Sequence, residues 1–396
     1  MKVLHVIPSM SMVHGGPSRA VRAMAAVLPI CGVECEIATT NDDGAGRRSD
    51  HALGVPLASS NAGRSTRWYF QKNLDFYKCS WSLAAWLRHS AKNYDLLHIH
   101  ALFSFSTIVA AWAANRASVP YVVRPLGTLS VYSLRQRRPW LKRLSLRFLE
   151  APLLARAAAV HFTSESELTE AQTLGIPMRS SVIPLGLRFP SPVSEEVANR
   201  EFPALTGRVY FLSLSRIDPK KNIEGLIDAF VLIGVTHADV LLVIAGDGDV
   251  AHVRALKQRA SISGYAHRIL WTGNVNGERK QALLQRASAF VLPSHSENFG
   301  IAVVEALGAG LPCLISDQVA ICQDVIAAGA GLACSTAARD IAEKMTTLLA
   351  DDLTLQTMRE NAFTLARGRY SLEAMGQGLC DLYNAITKKS AMKVVS

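Results

Sequence analysis

The sequence predicts a two-domain α/β protein, each domain a doubly wound, Rossmann-like parallel sheet. Three observations carry this expectation. The chain opens with a short β-rich run, KVLHVI at 2–7, then a glycine-containing loop, SMSMVHGGPSRAV, then a helical pattern, AVRAMAAVL. Strand, loop, helix is the opening unit of such a sheet. Strand-like runs then alternate with helical ones through both halves of the chain, which argues for sheets covered on both faces. At 396 residues the chain is also too long for one ordinary core.

The first domain is expected over 1–188. Its later strands are read at 33–38 (VECEIA), 95–99 (DLLHI), 119–124 (VPYVVR), 158–162 (AAVHF) and 181–184 (SVIP), with helices at 80–90 and 104–116. Composition shifts at 186–207, GLRFPSPVSEEVANREFPALTG, which carries three prolines and several charges, and 189–207 is read as a linker. The pattern restarts over 208–370, with strands at 208–214, 240–245, 268–271, 289–292 and 312–316. Helices are read between them, at 222–233, 250–262, 277–287 and from about 300. A last helix, 371–396, is able to return to the first domain. Ligands of such sheets bind beyond the carboxyl ends of the strands, and two sheets facing one another would put a site in a central cleft.

Composition narrows the class. Apolar residues make up 49% and charged residues 19%, which is globular rather than disordered. A formal net charge of +10 points to an anionic partner: nucleic acid, a phosphate-bearing ligand or an anionic membrane. The seven cysteines contain no C-x-x-C pair, and the nearest two, Cys31 and Cys35, lack the second pair of a zinc site. They read as reduced thiols, and the expected location is cytoplasmic. The run in MKVLHVIPSM is too short for a signal peptide or a membrane span, so the chain is expected to be soluble or held at a membrane surface.

The chemistry-bearing residues fall in the loops after the second domain's strands. SRIDPKKN follows the first of them, with Arg216 and Lys221 at the start of a helix, a suitable anion cradle. GDGD at 246–249 has the look of a D-x-D metal site, but glycines at a strand-to-helix turn explain it without a metal. After VLPS at 291–294 comes HSENFG and then an apolar helix, IAVVEALGAG. Asn298, Phe299 and Gly300 present backbone N–H groups at its start, a natural diphosphate site. Glu305, one turn in, can take a bidentate pair of hydroxyls such as a ribose diol, and Glu297 precedes the helix.

The run PSHSENFGIAVVEALGAGLPCLIS resembles the E-x7-E signature of the family 4 retaining glycosyltransferases, which have the GT-B fold. The resemblance covers nearly the whole chain, since the Gly15-Gly16 loop, SRIDPKKN, LVIAGDGD, WTGNV and the E-x7-E block occur in the family's order. It implies transfer of a hexosyl unit from a nucleoside-diphosphate sugar, UDP favoured and GDP allowed, to a glycan or lipid-linked acceptor, with retention and without a metal or other cofactor. It gives Arg216 and Lys221 the donor diphosphate and Gly15 and Gly16 its close approach. Val275 falls to the base, Asn298, Phe299, Gly300 and Ile301 to the sugar and phosphate amides, Glu305 to the ribose and Glu297 to the donor sugar. Family members often carry a histidine in the loop after the strand matching 119–124, where this chain has Leu126. Arg124 or His100 is therefore the expected substitute near the reacting carbon, alongside Glu297 as the catalytic set.

Residues 124–149 contain seven Lys or Arg and no acid, with Trp140, Leu141, Leu144, Phe148 and Leu149 near helical spacing. The part from 135 to 149 is expected to lie against an anionic membrane. Competing classes are a nucleotide-sugar epimerase of the same fold and a basic nucleic-acid-binding protein. The second lacks a recognition module, so no nucleic-acid partner is expected. A nicotinamide-dependent enzyme would need G-x-G-x-x-G after the first strand, which HGGPSR does not supply.

Overall fold

The computed structural model describes residues 1–58, 65–130, 133–134 and 139–395, with side chains up to residue 388. The chain forms two compact units, one from Met1 to Gly186 together with Leu372 onward, the other from Leu187 to Ser371.

Unit 1 is an eight-stranded sheet ordered β3-β4-β2-β1-β5-β6-β7-β8. The strands are β1 Lys2–Ser9, β2 Glu34–Thr40, β3 Pro56–Ala58, β4 Thr66–Phe70, β5 Leu96–His100, β6 Tyr121–Arg124, β7 Ala159–Phe162 and β8 Ser180–Val182. All pairs are parallel except β3 with β4 at the edge. Side chains alternate along a strand, so each strand sends every second residue to each face. Leu4, Val6, Leu97, Ile99, Val123 and Val160 share one apolar core on one face. The register pairs His5 with His98 and His100 with Arg124, which puts these residues on the other face.

That second face meets the helix Leu372–Val395, whose Tyr383 hydroxyl lies 2.6 Å from His98 Nδ1. Gly376 allows the helix close to the helix Gly16–Val27: a Cβ there would sit 2.6 Å from Val27 Cγ2.

Unit 2 is a six-stranded, all-parallel sheet ordered β11-β10-β9-β12-β13-β14. Its strands are β9 Tyr210–Leu214, β10 Leu241–Ala245, β11 Ile269–Gly273, β12 Ala289–Leu292, β13 Cys313–Ser316 and β14 Gly331–Cys334. Switching order between β9 and β12 creates the topological break at which such sheets bind ligands. The segment 189–207 is not the free linker its prolines suggest. Ser194 caps a helix over Glu195–Glu201 by accepting from Val197 N, and Glu195 and Glu196 in the first turn suit the helix dipole.

The loops at this edge are pinned by backbone. Ser215 N donates to Ala245 O, Ile217 N to Asp247 O, and Gly246 N to Gly273 O, at 2.8–3.0 Å. Gly246 has φ 138°, and a Cβ on it would fall 1.8 Å from Ser215 O, so only glycine lets these strands' loops close on one another.

Candidate functional site

The site is built at the carboxyl edge of unit 2, from the loops after β9, β11 and β12. Asp218 accepts from Lys220 N and starts a short turn over Pro219–Lys221, and Asn222, in the left-handed region at φ 54°, caps the following helix through Gly225 N. This turn carries Lys221 to Glu297, where Nζ and Oε2 form an ion pair with both side chains largely buried. Arg216, by contrast, is 77% exposed and lies 3.5 Å from Asp218 Oδ2. It is the exposed member of the pair expected at an anion.

Glu297 is fixed by its backbone as well as by Lys221. Its N–H donates to Gln318 O at 3.1 Å and its carbonyl accepts from Ala320 N at 3.0 Å. The loop then turns through Gly300, at φ 88°, into the helix Ile301–Gly308. The first N–H groups of that helix have no partner within it, and they open toward the same loop. Asn298 is exposed, whereas Phe299 is buried with its ring edge-on to Tyr370, centroids 5.9 Å apart. Phe299 therefore anchors the loop while its backbone stays available. Val275 is buried in the loop between β11 and the helix Gly277–Arg286.

Glu305 projects from the first turns of its helix and meets Lys280 Nζ at 2.7 Å. Sequence reasoning did not single out Lys280; a lysine inside GERKQ carries no local signal, and only the tertiary pairing reveals it. Asp249 is accounted for structurally, since its Oδ1 accepts from His252 N at 3.0 Å and caps the helix Val250–Ile262.

In unit 1, Gly15 and Gly16 lie where β1 passes into its first helix, Gly15 at φ 68°. Leu126 also takes a left-handed backbone, at φ 61°. The two residues expected to stand in for the missing histidine are not at any surface. His100 is fully buried and Arg124 is 2% exposed. Strand alternation explains this: both project from the face that the Leu372–Val395 helix covers, not from the strand end. Their burial runs against the expected role of either at the reacting carbon.

His100 and Arg124 instead belong to a buried polar layer with His5, His98, His161 and Tyr383. His5 Nδ1 and His100 Nε2 are 2.9 Å apart, and His161 Nε2 meets Ile183 O at 2.8 Å. Burial, with the Arg124 charge adding to it, lowers His5 and His161 to about 3. Burial and the neighbouring histidines hold His98 and His100 well below the usual value too. His5, His98 and His100 bring ligand-type nitrogens within 4.8 Å of one another, but the guanidinium in the same layer opposes a divalent cation there.

The basic stretch is only partly covered, since 135–138 lies outside the described residues. Pro139–Ser145 is helical, and Ala151 N then bonds to Leu146 O in a widened π turn. The turn brings Phe148 and Leu149 out beside Trp140 and Leu144, all exposed, with Arg147 over the Phe148 ring at 6.0 Å. No helix among the described residues is long and apolar enough to cross a membrane.

This fold and edge are matched by known proteins. Residues 15–186 match the family model described as a glycosyl transferase 4-like domain, and residues 195–364 the one described as glycosyl transferases group 1. The two models fall one on each unit, and the chain belongs to the family 4 glycosyltransferases of GT-B fold. It is 26% identical over 200 residues to an alpha-1,3/1,6-mannosyltransferase, ALG2, of Dictyostelium discoideum, covering 47% of each chain. It is 25% identical over 234 residues to the Escherichia coli UDP-Gal:alpha-D-GlcNAc-diphosphoundecaprenol alpha-1,3-galactosyltransferase, covering 57% of this chain and 58% of that one. The chain thus spans about half the length of these curated relatives. Among solved structures, Anabaena HepE in complex with UDP and glucose is similar with a TM-score of 0.75 at 20% identity, covering 97% of this chain and all of that one. Sucrose-phosphate synthase of Thermosynechococcus elongatus is similar with a TM-score of 0.77 at 19% identity, covering 98% of this chain.

Proposed function

We propose that the protein is a retaining hexosyltransferase that moves a sugar from a nucleoside diphosphate to a glycan or lipid-linked acceptor. The observation that carries this reading is the Lys221–Glu297 pair beside the Ile301–Gly308 helix start, with the exposed Arg216 in the adjoining loop. Two cations and a helix N-terminus answer the charge that gathers on a departing diphosphate. Glu297, tied to Lys221, is suited to hold donor-sugar hydroxyls, and Glu305, tied to Lys280, the ribose diol. Val275 is read as supporting the base through its backbone, and the Gly15-Gly16 turn as leaving room for a diphosphate.

Arg216 and Lys221 supply the positive charge that a divalent ion supplies elsewhere, so the reaction is read as metal-independent. UDP is the favoured nucleotide: the E. coli relative is named for UDP-Gal, and the HepE structure holds UDP. The exposed Trp140, Leu144, Phe148 and Leu149 beside Lys142, Arg143 and Arg147 suit an anionic membrane bearing a lipid-linked acceptor, which would make the protein peripheral at the cytoplasmic face.

Calorimetric titration of the full chain with UDP, GDP, ADP and NAD tests the reading. UDP is expected to bind saturably, and a panel of UDP-sugars to be turned over equally well with and without EDTA. Binding of NAD but of no nucleoside diphosphate would overturn it.

A further inference from the structure

The helix Leu372–Val395 is held to unit 1 along one stripe of side chains, and that stripe contains a cysteine. Gly376 sits against Val27, where a Cβ would fall 2.6 Å from Val27 Cγ2. Tyr383 reaches His98 at 2.6 Å, and Thr387 Oγ1 lies 4.0 Å from Met1 Sδ. Cys380 stands between Gly376 and Tyr383, four residues after the one and three before the other, which is the spacing of a single helix face. It is 4% exposed.

The opposing surface keeps the same register. The helix Gly16–Val27 runs on into a 3-10 turn over Leu28–Cys31, so Cys31 stands one turn beyond Val27. Gly32, at φ 73°, ends that turn: its N–H donates to Pro29 O at 3.1 Å, and Val33 N donates to Leu28 O at 3.2 Å. The turn packs directly on the Leu372–Val395 helix. Val27 meets Gly376, and one turn along both elements Cys31 meets Cys380, the two thiols sharing a hydrogen bond.

The two sulfurs differ in access. Of the seven cysteines, Cys31 is exposed and the other six are buried. Burial, and then the hydrogen bond with Cys31, push the Cys380 thiol up to about 12, so Cys380 keeps its proton and donates it to the Cys31 sulfur. An oxidant in solution reaches Cys31 first, and a sulfur oxidised there finds a thiol already beside it.

We propose that Cys31 and Cys380 form a reversible disulfide that fastens the last helix to unit 1 when the protein meets a hydroperoxide. With hydrogen peroxide, the Cys31 sulfur attacks one peroxide oxygen. The S–O bond of a sulfenic acid forms, the O–O bond breaks, and the departing hydroxide leaves as water with the thiol proton. The Cys380 sulfur then attacks the Cys31 sulfur. The S–S bond forms, the S–O bond breaks, and the hydroxyl leaves with the Cys380 proton as a second water. Two thiols lose two electrons and the peroxide gains them; a dithiol reverses the bond by exchange. The bond would join a residue near the start of the chain to one near its end, with all of unit 2 between them, and so constrain the unfolded chain. Nothing in this depends on the transferase reading.

The test treats the full chain with a few equivalents of hydrogen peroxide and digests it, unreduced, with a protease that cuts after glutamate. Cleavage after Glu34 separates Cys31 from Cys35, and cleavage after Glu373 isolates Cys380. The expected product is segment 1–34 joined to segment 374–396, two hydrogens lighter than the pair and released by dithiothreitol. The melting temperature of the oxidised chain is expected to rise by about 5–10 °C and to return on reduction. Cys31→Ser, at an exposed position, should show neither change, and Cys380→Ala is the second variant. No linked product, Cys31 carried on to a sulfinic acid, or a link to any other cysteine overturns the pair. So does an equal temperature rise in Cys31→Ser. A link that leaves the melting temperature unchanged overturns its role as a fastening of the helix.

Discussion

Lys280 Nζ meets Glu305 Oε1 at 2.7 Å across 25 residues of sequence, so the acid read as the ribose ligand is held before any ligand arrives. Both side chains are about four-fifths covered, Lys280 being 20% and Glu305 21% exposed. A partly desolvated pair fixes a rotamer more firmly than a surface ion pair does. Lys280→Met is expected to weaken UDP binding about tenfold, a loss of about 1.4 kcal/mol, with little change in melting temperature. Calorimetry on the variant measures both. Unchanged affinity would mean that Glu305 is oriented by its helix alone.

Lys221 is paired to Glu297, and its substitution should separate charge stabilisation from folding. Lys221→Ala is expected to lower kcat on the order of 100-fold, the usual cost of losing one preorganised donor at a developing charge. Glu297→Gln keeps the shape but removes the ion pair, and should lower kcat with a smaller effect on UDP affinity. Steady-state rates with UDP-glucose, beside UDP titrations, distinguish the two.

The histidine layer gives the protein an acid limit. His5 and His161 have folded values near 3, and burial lowers His98 and His100 as well. Unfolded histidines take protons near pH 6.5, so the unfolded state binds more protons at any pH below that value. Stability is therefore unaffected above about pH 6.5 and falls as pH drops toward 3. At about pH 5 the loss is about 2 kcal/mol for each of His5 and His161. Melting curves between pH 8 and 4 should show this decline, and His161→Gln should flatten it.

The exposed apolar residues around the π turn make the membrane reading measurable. Trp140→Ser and Phe148→Ser are each expected to weaken binding to vesicles containing anionic lipid by about tenfold, since each removes about 1–2 kcal/mol of apolar burial. Co-sedimentation at low and high salt checks it. Equal binding by both variants would leave that surface without a lipid.

Much of the fold was legible because strand and helix patterns are local. Helix Val250–Ile262 and strand Ala289–Leu292 fall where periodicity put them. Edge strand β3, three residues long, and β14, with Gly331 and Ala333, carry too little side chain to announce themselves. The unit 2 loop residues could be named from the order of motifs, but their partners could not. Lys280 reaches Glu305 only through packing, and a strand-end histidine such as His100 reads the same whether it faces a ligand or a covering helix. The deciding fact is the helix at Leu372–Val395, whose Tyr383 lies 285 residues beyond His98 in the order of the chain.

That helix also sets the order in which the molecule can be made. Val27 and His98 emerge from the ribosome early, yet the residues that cover them, Gly376 and Tyr383, come after the whole of unit 2. During synthesis the first unit must wait, its polar histidine face uncapped, while the second unit folds as a continuous piece. Unit 2 is in effect an insertion within unit 1, and the first unit is completed only after the second has been made.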